Sequence, residues 1–316
     1  MTGIIDSKDT AFELFIPSED ENKLLHSLDK TYIKFSEMSN EEREFLNAII
    51  LRNQPRKLLE IGVSAGASSV IMLNAIKNNP EAKLFSIDYM KNWYKDKTKN
   101  SGFIVDNYPD LQNKWKLFTG GLSLNFLDEI GKDIDLCLID TVHSNPGELL
   151  DTLMVLPFLK DDAIIVFHDV NCHTFSGNVA ECNPLGEYTN NLLFSAISGK
   201  KYLQGNFIKG SPFSNIDKTP YFPNIGAIKT SNETKKHVFE IFNLLTLKWT
   251  YLLTSEEEKV IIKYFSKYYD EYLIGYIKKV FVYQKDCFDY TNTNILWKII
   301  KALMPYGLLK LLGKIK

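Results

Sequence analysis

Between residues 57 and 170, short apolar runs alternate with helix-like stretches, and this alternation constrains the fold more than any other feature. "KLLEIGV" reads as a buried strand ending in a turn of small residues, and "ASSVIMLNAIKN" as the helix that follows. "KLFSID", "KWKLFTG", "IDLCLID" and "AIIVFHD" read as four more strands, with the helix "GELLDTLMVLPFL" before the last. Strands alternating with helices imply right-handed βαβ crossovers and a parallel sheet covered on both faces. Near-continuous apolar strands fit that double burial.

The flanks read differently. Residues 1–54 form an expected helical N-terminal extension. In it, "SNEEREFLNAIILRN" places Ser39 as N-cap ahead of acids in the first turn, and Pro55 ends the helix. The sheet domain is expected over 55–230. Its last part carries one helical piece, "NNLLFSAISG", and two strand candidates, "YLQGNFIK" and "NIGAIKT". Residues 231–316 form an expected helical C-terminal region, rich in aromatics, ending in a basic amphipathic tail. From Ile295 to Lys316 the tail holds five lysines and no acid. It reads either as a helix on an anionic membrane surface or as one docked on its own domain or on a second subunit in a homodimer.

Composition excludes several function classes. A formal net charge of -2 provides no global field for nucleic acid. The four cysteines include no CxxC pair, which suits reduced thiols and a cytoplasmic setting. "MTGIIDSKDTAFELF" carries early acids and is not read as a signal peptide. No apolar run approaches the ~20 residues of a membrane-spanning helix.

The segment "LLEIGVSAGASS" carries the most chemical information. Glu60 ends a strand, and Gly62 and Gly66 bracket a tight turn that opens a helix. Glycines there let the backbone approach a ligand and accept positive φ. A dinucleotide fingerprint would put glycines at 62, 64 and 67, where the chain has Gly62, Ser64 and Ala67. Asp88 ends the second strand and can accept both hydroxyl protons of a ribose; a strand-end Asp serving structure alone is the other reading. "FTGGLS" puts Gly120, Gly121 and Leu122 after the third strand. Asp140 and His143 follow the fourth strand, Asp151 lies on the next helix, and His168 and Asp169 end the fifth. Imidazole titrates near neutral pH, which makes His143 and His168 candidate bases. Cys172, His173 and Cys182 could form a zinc site, but zinc sites show tighter paired spacing; lining a pocket or a loop over it fits them better.

The ExGxxxG loop, the Asp88 position and the pattern IDxxH…D…HD resemble class I S-adenosylmethionine (SAM) methyltransferases. Within them the likeness is to the subgroup of macrocin-type sugar O-methyltransferases and cephalosporin-hydroxylase-like proteins. It covers roughly residues 55–230. Thr141 and Val142 stand where the subgroup has a glycine and an acid, and "KDDA" stands where it has a Pro-Gly-Gly turn. The resemblance implies a Rossmann-like fold with a mostly parallel seven-stranded sheet. It implies SAM held by Glu60, Gly62, Ser64, Gly66, Asp88, Gly120 and Asp140. His143, His168 and Asp169 become the catalytic group. In metal-dependent relatives, acids ending the fourth and fifth strands bind the metal, which marks Asp140 and Asp169 for Mg²⁺. The Asn that often follows the second acid is Val170 here, with Asn171 one further on. The expected reaction is methyl transfer to a hydroxyl of a small-molecule or sugar acceptor, as in polysaccharide biosynthesis. Base methylation is disfavoured, because "DTVHSN" replaces the NPPY-like motif and offers no stacking aromatic. Two rivals stand beside this reading: a SAM-fold scaffold without turnover, docked to a membrane assembly by its tail, and a hydroxylase-type member with a redox metal.

Overall fold

A computed structural model of the chain describes residues 12–142, 144–170, 190–205 and 224–303, with side chains described through Phe288. The chain divides into two compact units, Met1–Thr250 and Tyr251–Lys316. The first is built on eight strands: β1 (Phe12–Phe15), β2 (Lys57–Ile61), β3 (Lys83–Asp88), β4 (Trp115–Thr119), β5 (Ile134–Ile139), β6 (Leu159–Phe167), β7 (Lys200–Gln204) and β8 (Gly226–Lys229). Helices α1 (Glu19–His26), α2 (Asn40–Asn53) and α3 (Ala67–Ile76) precede β3. Two short helices, α4 (Pro109–Gln112) and α5 (Leu127–Ile130), flank β4, and α6 (Gly147–Val155) leads to β6. Then come α7 (Asn190–Ala196), α8 (Asn232–Lys236) and α9 (Val238–Leu244).

The strand order is β1-β7-β8-β6-β5-β2-β3-β4. Only β8 pairs antiparallel with its neighbours. The Rossmann-like α/β sheet is therefore as expected, with one strand more than seven. The extra strand, β1, lies in the segment expected to be wholly helical and adds an edge beside β7. "KDDA" forms no turn; it lies inside β6, because Lys160–Ala163 continues the strand past an irregularity in its pairing with β5.

Chain order reverses between β2 and β5: β3 and β4 extend one way, β5 and β6 the other. Open α/β sheets bind ligands in the crevice outside the carboxyl ends at such a switch point. On one face, α1, α2 and α3 share a core with Leu58, Leu84, Leu136, Leu138, Ile164 and Val166. Helix α2 forms as its sequence requires. The Ser39 hydroxyl accepts from the Glu42 amide, and the Glu42 carboxylate accepts from the Ser39 amide, satisfying two helix-end donors. Phe45, Leu46, Ile49 and Ile50 then bury the sheet-facing side. The second unit contains α10 (Ser255–Phe265) and α11 (Glu271–Leu303). Ile261, Phe265, Leu273 and Ile277 are buried there, and Lys285 pairs with Glu258 at 2.7 Å. Within the described residues, no helix is long and apolar enough to cross a membrane.

Candidate active site

One row of backbone hydrogen bonds, just past the strand ends, stitches the expected site together. Gly120 N–H donates to Asp88 O, Gly62 N–H to Ile87 O, Asp140 N–H to Ile61 O and His168 N–H to Ile139 O, at 2.9 to 3.3 Å. Each bond extends the sheet ladder by one step. Gly120, Asp88, Gly62, Asp140 and His168 thus lie side by side along the carboxyl rim, although 106 positions separate Gly62 from His168 in the chain (168 minus 62).

On the β2–β3 side the loop after β2 is fixed from both ends. Gly62 has φ +89°, and a Cβ there would lie 1.7 Å from the Asp140 carbonyl oxygen. Only glycine lets the loop pass against the end of β5. Gly66 (φ +96°) caps α3, and its open side is filled by the backbone of Gly102. Asp88 accepts from the amides of Val63 (3.1 Å) and Ser64 (2.9 Å) with one oxygen, and from Met90 N–H (2.7 Å) with the other. Its carboxylate therefore shapes the loop, as the structural reading of a strand-end Asp describes. Ser64 has a positive φ of 52° and accepts from the Trp93 indole at 3.1 Å. The Lys91 side chain lies over Gly120.

Glu60 is corrected. Expected among the cofactor contacts, it is fully buried beneath the loop. Its carboxylate accepts from the hydroxyls of Ser68, Ser69 and Ser86, each at 2.6 Å, and Ser86 accepts in turn from the Trp115 indole at 2.8 Å. Burial raises its pKa to about 7, against the lowering effect of the three serines. Glu60 holds the start of α3 to β2 and β3 and touches no open surface.

On the β5–β6 side, His168 lies at the centre of three carboxylates. Its Nδ1 is 3.3 Å from Asp140 Oδ1 and 3.4 Å from Asp169 Oδ2, and its Nε2 is 3.6 Å from Glu42 Oε1. These are ion-pair separations; neither ring nitrogen makes a tight hydrogen bond. Side-chain exposure falls from 23% at Asp140 and 13% at Asp169 to 4% at Glu42 and 3% at His168. The ring therefore lies below the two aspartates. Burial alone pushes an imidazole pKa down; Asp169, Asp140 and Glu42 outweigh it and hold His168 well above the usual histidine range. His168 is thus the buried member of this cluster, in contact with both aspartates and with Glu42.

Asp169 has φ +55°, uncommon for a non-glycine residue, and accepts from the Asn224 amide at 2.6 Å. Asp151 bonds to neighbouring hydroxyls. It accepts from Ser123 (2.6 Å) and Thr141 (3.1 Å), and burial raises its pKa. Thr141, a departure from the subgroup pattern, thus serves as a donor to Asp151. His143, Cys172, His173 and Cys182 lie outside the described residues.

Glu42 and Asn224 belong to the site and were not among the expected residues. Glu42 is visible in the sequence as half of a capping box, a purely local signal. Asn224 precedes β8, the antiparallel strand, whose start faces the carboxyl rim.

Asp140, His168 and Asp169 each offer a ligand atom within 4.8 Å of the others. Mg²⁺ asks for oxygen donors and keeps several waters. Asp140 and Asp169 would supply such oxygens, and the His168 ring lies within 3.3 and 3.4 Å of them.

No curated protein matches the chain. Among solved structures it is similar to the O-methyltransferase TomG of Streptomyces achromogenes in complex with SAM, at 16% identity over 69% of this chain and 92% of that one, with a TM-score of 0.46. It is also similar to an O-methyltransferase of Bacillus cereus in complex with SAH, at 15% identity over 68% of this chain and 93% of that one, with a TM-score of 0.45. Residues 59–170, the segment that carries β2 to β6 and all of the row from Gly62 to His168, match the family model of a methyltransferase domain.

Proposed function

We propose that the chain is a SAM-dependent O-methyltransferase acting on a hydroxyl of a small-molecule or glycan-type acceptor. The observation that carries the reading is the single rim row. It joins a glycine loop and a strand-end carboxylate, suited to a nucleoside, to a pair of partly exposed aspartates on the next two strands. The methyltransferase-domain match over the same residues supports it. SAM lies over Gly62, Ser64, Asp88 and Gly120, with Asp140 on the side of the transferred methyl. The sugar-type acceptor rests on the IDxxH…D…HD pattern alone.

In the reaction the methyl carbon leaves the sulfonium sulfur, which keeps the electron pair, and bonds to the acceptor oxygen. The acceptor proton must leave as that bond forms. A hydroxyl is too weak an acid to lose it to water unaided, and a positioned base within hydrogen-bond reach supplies the help. Asp140 and Asp169 are the acids with open surface, and His168 beneath them keeps both carboxylates turned to one point. Holding donor and acceptor in line contributes the rest.

Calorimetry with SAM and with its demethylated product tests the cofactor: both bind, and binding of neither would remove the central claim. Asp169→Asn is expected to keep SAM binding within about threefold while losing at least ~100-fold in turnover on a panel of sugar nucleotides and glycosides. Unchanged turnover would take Asp169 out of the reaction.

A further inference from the structure

We propose that the hairpin 92–100 is a clamp on the cofactor loop and that Trp93, which it carries, is a positioning residue for SAM, acting through the hydroxyl of Ser64. The inference rests on the SAM-dependent reading for its ligand, and one arm of its test needs no SAM.

Local structure delivers Trp93 to the loop. After β3 the chain runs through "MKNWYKDKTKNSG", residues 90–102. Asn92 and Asn100 form an antiparallel bridge. Trp93 N–H donates to Lys99 O at 2.8 Å, and Ser101 N–H to Lys91 O at 3.0 Å. The Asp96 carboxylate accepts from Thr98 N–H at 3.0 Å and closes the turn. The Trp93 ring packs against Phe35 and Phe103, with centroids at 5.8 and 5.3 Å. Lys99 Nζ lies 4.8 Å from the Phe103 centroid and 5.5 Å from the Phe35 and Trp93 centroids. An indole held by its ring still has an N–H that needs a partner. That partner is Ser64 Oγ, at 3.1 Å.

Ser64 is gripped at each of its polar groups. Its amide donates to Asp88 at 2.9 Å, its carbonyl accepts from Gly102 N–H at 2.9 Å, and its hydroxyl accepts from Trp93. All three partners lie on β3 or in the segment that follows it. Ile104 N–H adds a bond to the neighbouring Ala65 carbonyl at 3.0 Å. The grip answers a cost. Ser64 has φ +52°, a conformation that a non-glycine residue keeps only where its surroundings hold it. Glycine would adopt it unaided; this chain has a serine there.

The serine brings a hydroxyl, and Trp93 sets its polarity. A hydroxyl has one proton to donate and two lone pairs that accept. Among the described residues the indole is the partner of Ser64 Oγ, and it occupies a lone pair. The proton is left for an accepting atom of the ligand, and Ser64 is half-buried, with surface open to one. Without the indole the hydroxyl is free to turn its proton onto a nearby backbone carbonyl, as serine does elsewhere. Ser64 thus offers an accepting oxygen of SAM a donor whose direction is fixed beforehand.

The test is calorimetry with SAM on wild type, Trp93→Phe, Ser64→Ala and the double variant, with amide hydrogen exchange of the loop alongside. Trp93→Phe keeps a ring against Phe35 and Phe103 and removes the N–H. Each single change is expected to lower SAM affinity about fivefold to tenfold. The double variant is expected to bind within about twofold of Ser64→Ala, because Trp93 has lost the group through which it acts. The amides of Val63, Ser64 and Gly66, each bonded in the folded loop, are expected to exchange faster in Trp93→Phe without SAM, while those of β5 keep their rates. Unchanged SAM affinity in Trp93→Phe would overturn the proposal. So would a double variant that loses the Trp93 factor a second time, since the ring would then act without Ser64. Absence of SAM binding by wild type would remove the O-methyltransferase reading and the ligand named here; faster loop exchange in Trp93→Phe would still support the clamp, and unchanged exchange would overturn it. If Trp93→Phe does not fold, benzothienylalanine placed at position 93, which keeps the ring system and lacks the N–H, is read against the same outcomes.

Discussion

Glu60→Gln separates support of the cofactor loop from contact with the cofactor. The Glu60 carboxyl is fully buried and takes three serine hydroxyls at 2.6 Å. Its pKa is about 7 in the folded protein and 4.5 as the ordinary value. Between those two values the folded state holds a proton that the unfolded state has released. Stability therefore falls as pH rises from about 4.5 to about 7 and levels off above. At 1.36 kcal/mol for each pKa unit, the total is about 3 kcal/mol. Glutamine has nearly the same shape and no charge, and the serine hydroxyls can rotate to accept from its amide. The measurement is denaturant unfolding of both proteins at several pH values from 4.5 to 8. The difference curve, wild type minus Glu60→Gln, should fall by about 3 kcal/mol over that window, while Asp151 and His168 contribute equally to both proteins and cancel. SAM affinity at pH 8 should stay within about threefold. A flat difference curve together with loss of SAM binding would refute the argument and return Glu60 to the cofactor contacts.

Two further outcomes follow from the loop. Gly62→Ala places a Cβ 1.7 Å from the Asp140 carbonyl at φ +89°; loss of at least ~3 kcal/mol in unfolding free energy is expected, and a loss under about 1 kcal/mol would mean the loop is free to move off β5. Asp88→Ala strips a partner from the amides of Val63, Ser64 and Met90. Calorimetry should show SAM affinity lowered at least ~tenfold, with a lower Tm as the loop loosens; SAM affinity lost at an unchanged Tm would assign Asp88 to ribose recognition alone.

The sheet was legible because burial on both faces leaves a strong mark: apolar runs with no polar alternation, separated by helices. β1 was not. "FELF" follows a polar N-terminal stretch and exposes Phe12 and Leu14, so its strand character comes from pairing with β7, a partner nearly two hundred positions on. The rim residues Gly62, Asp88, Asp140 and Asp169 were legible because strand ends at a switch point are where an α/β sheet presents functional groups. Their roles were less so. Glu60 and Asp88 stand in the same kind of place at the ends of neighbouring strands. What separates them is that serines at 68, 69 and 86 fold onto Glu60, while the loop amides of Val63, Ser64 and Met90 donate to Asp88. No spacing rule carries that information.

His168 shows the same limit from the opposite side. A histidine beside an aspartate at a strand end has the composition of a base and its orienting acid, or of a metal site. Which of these forms depends on what covers the ring. Helix α2 covers it, and the residue it brings is Glu42, an acid chosen locally to cap the helix. With Glu42 there, the ring meets an acid on its far nitrogen as well as the two aspartates on the near one. One first-turn acid in an N-terminal helix thereby sets the chemistry available to two aspartates on the sheet. Replacing it should change the reaction side while leaving the loop after β2 and Asp88 intact.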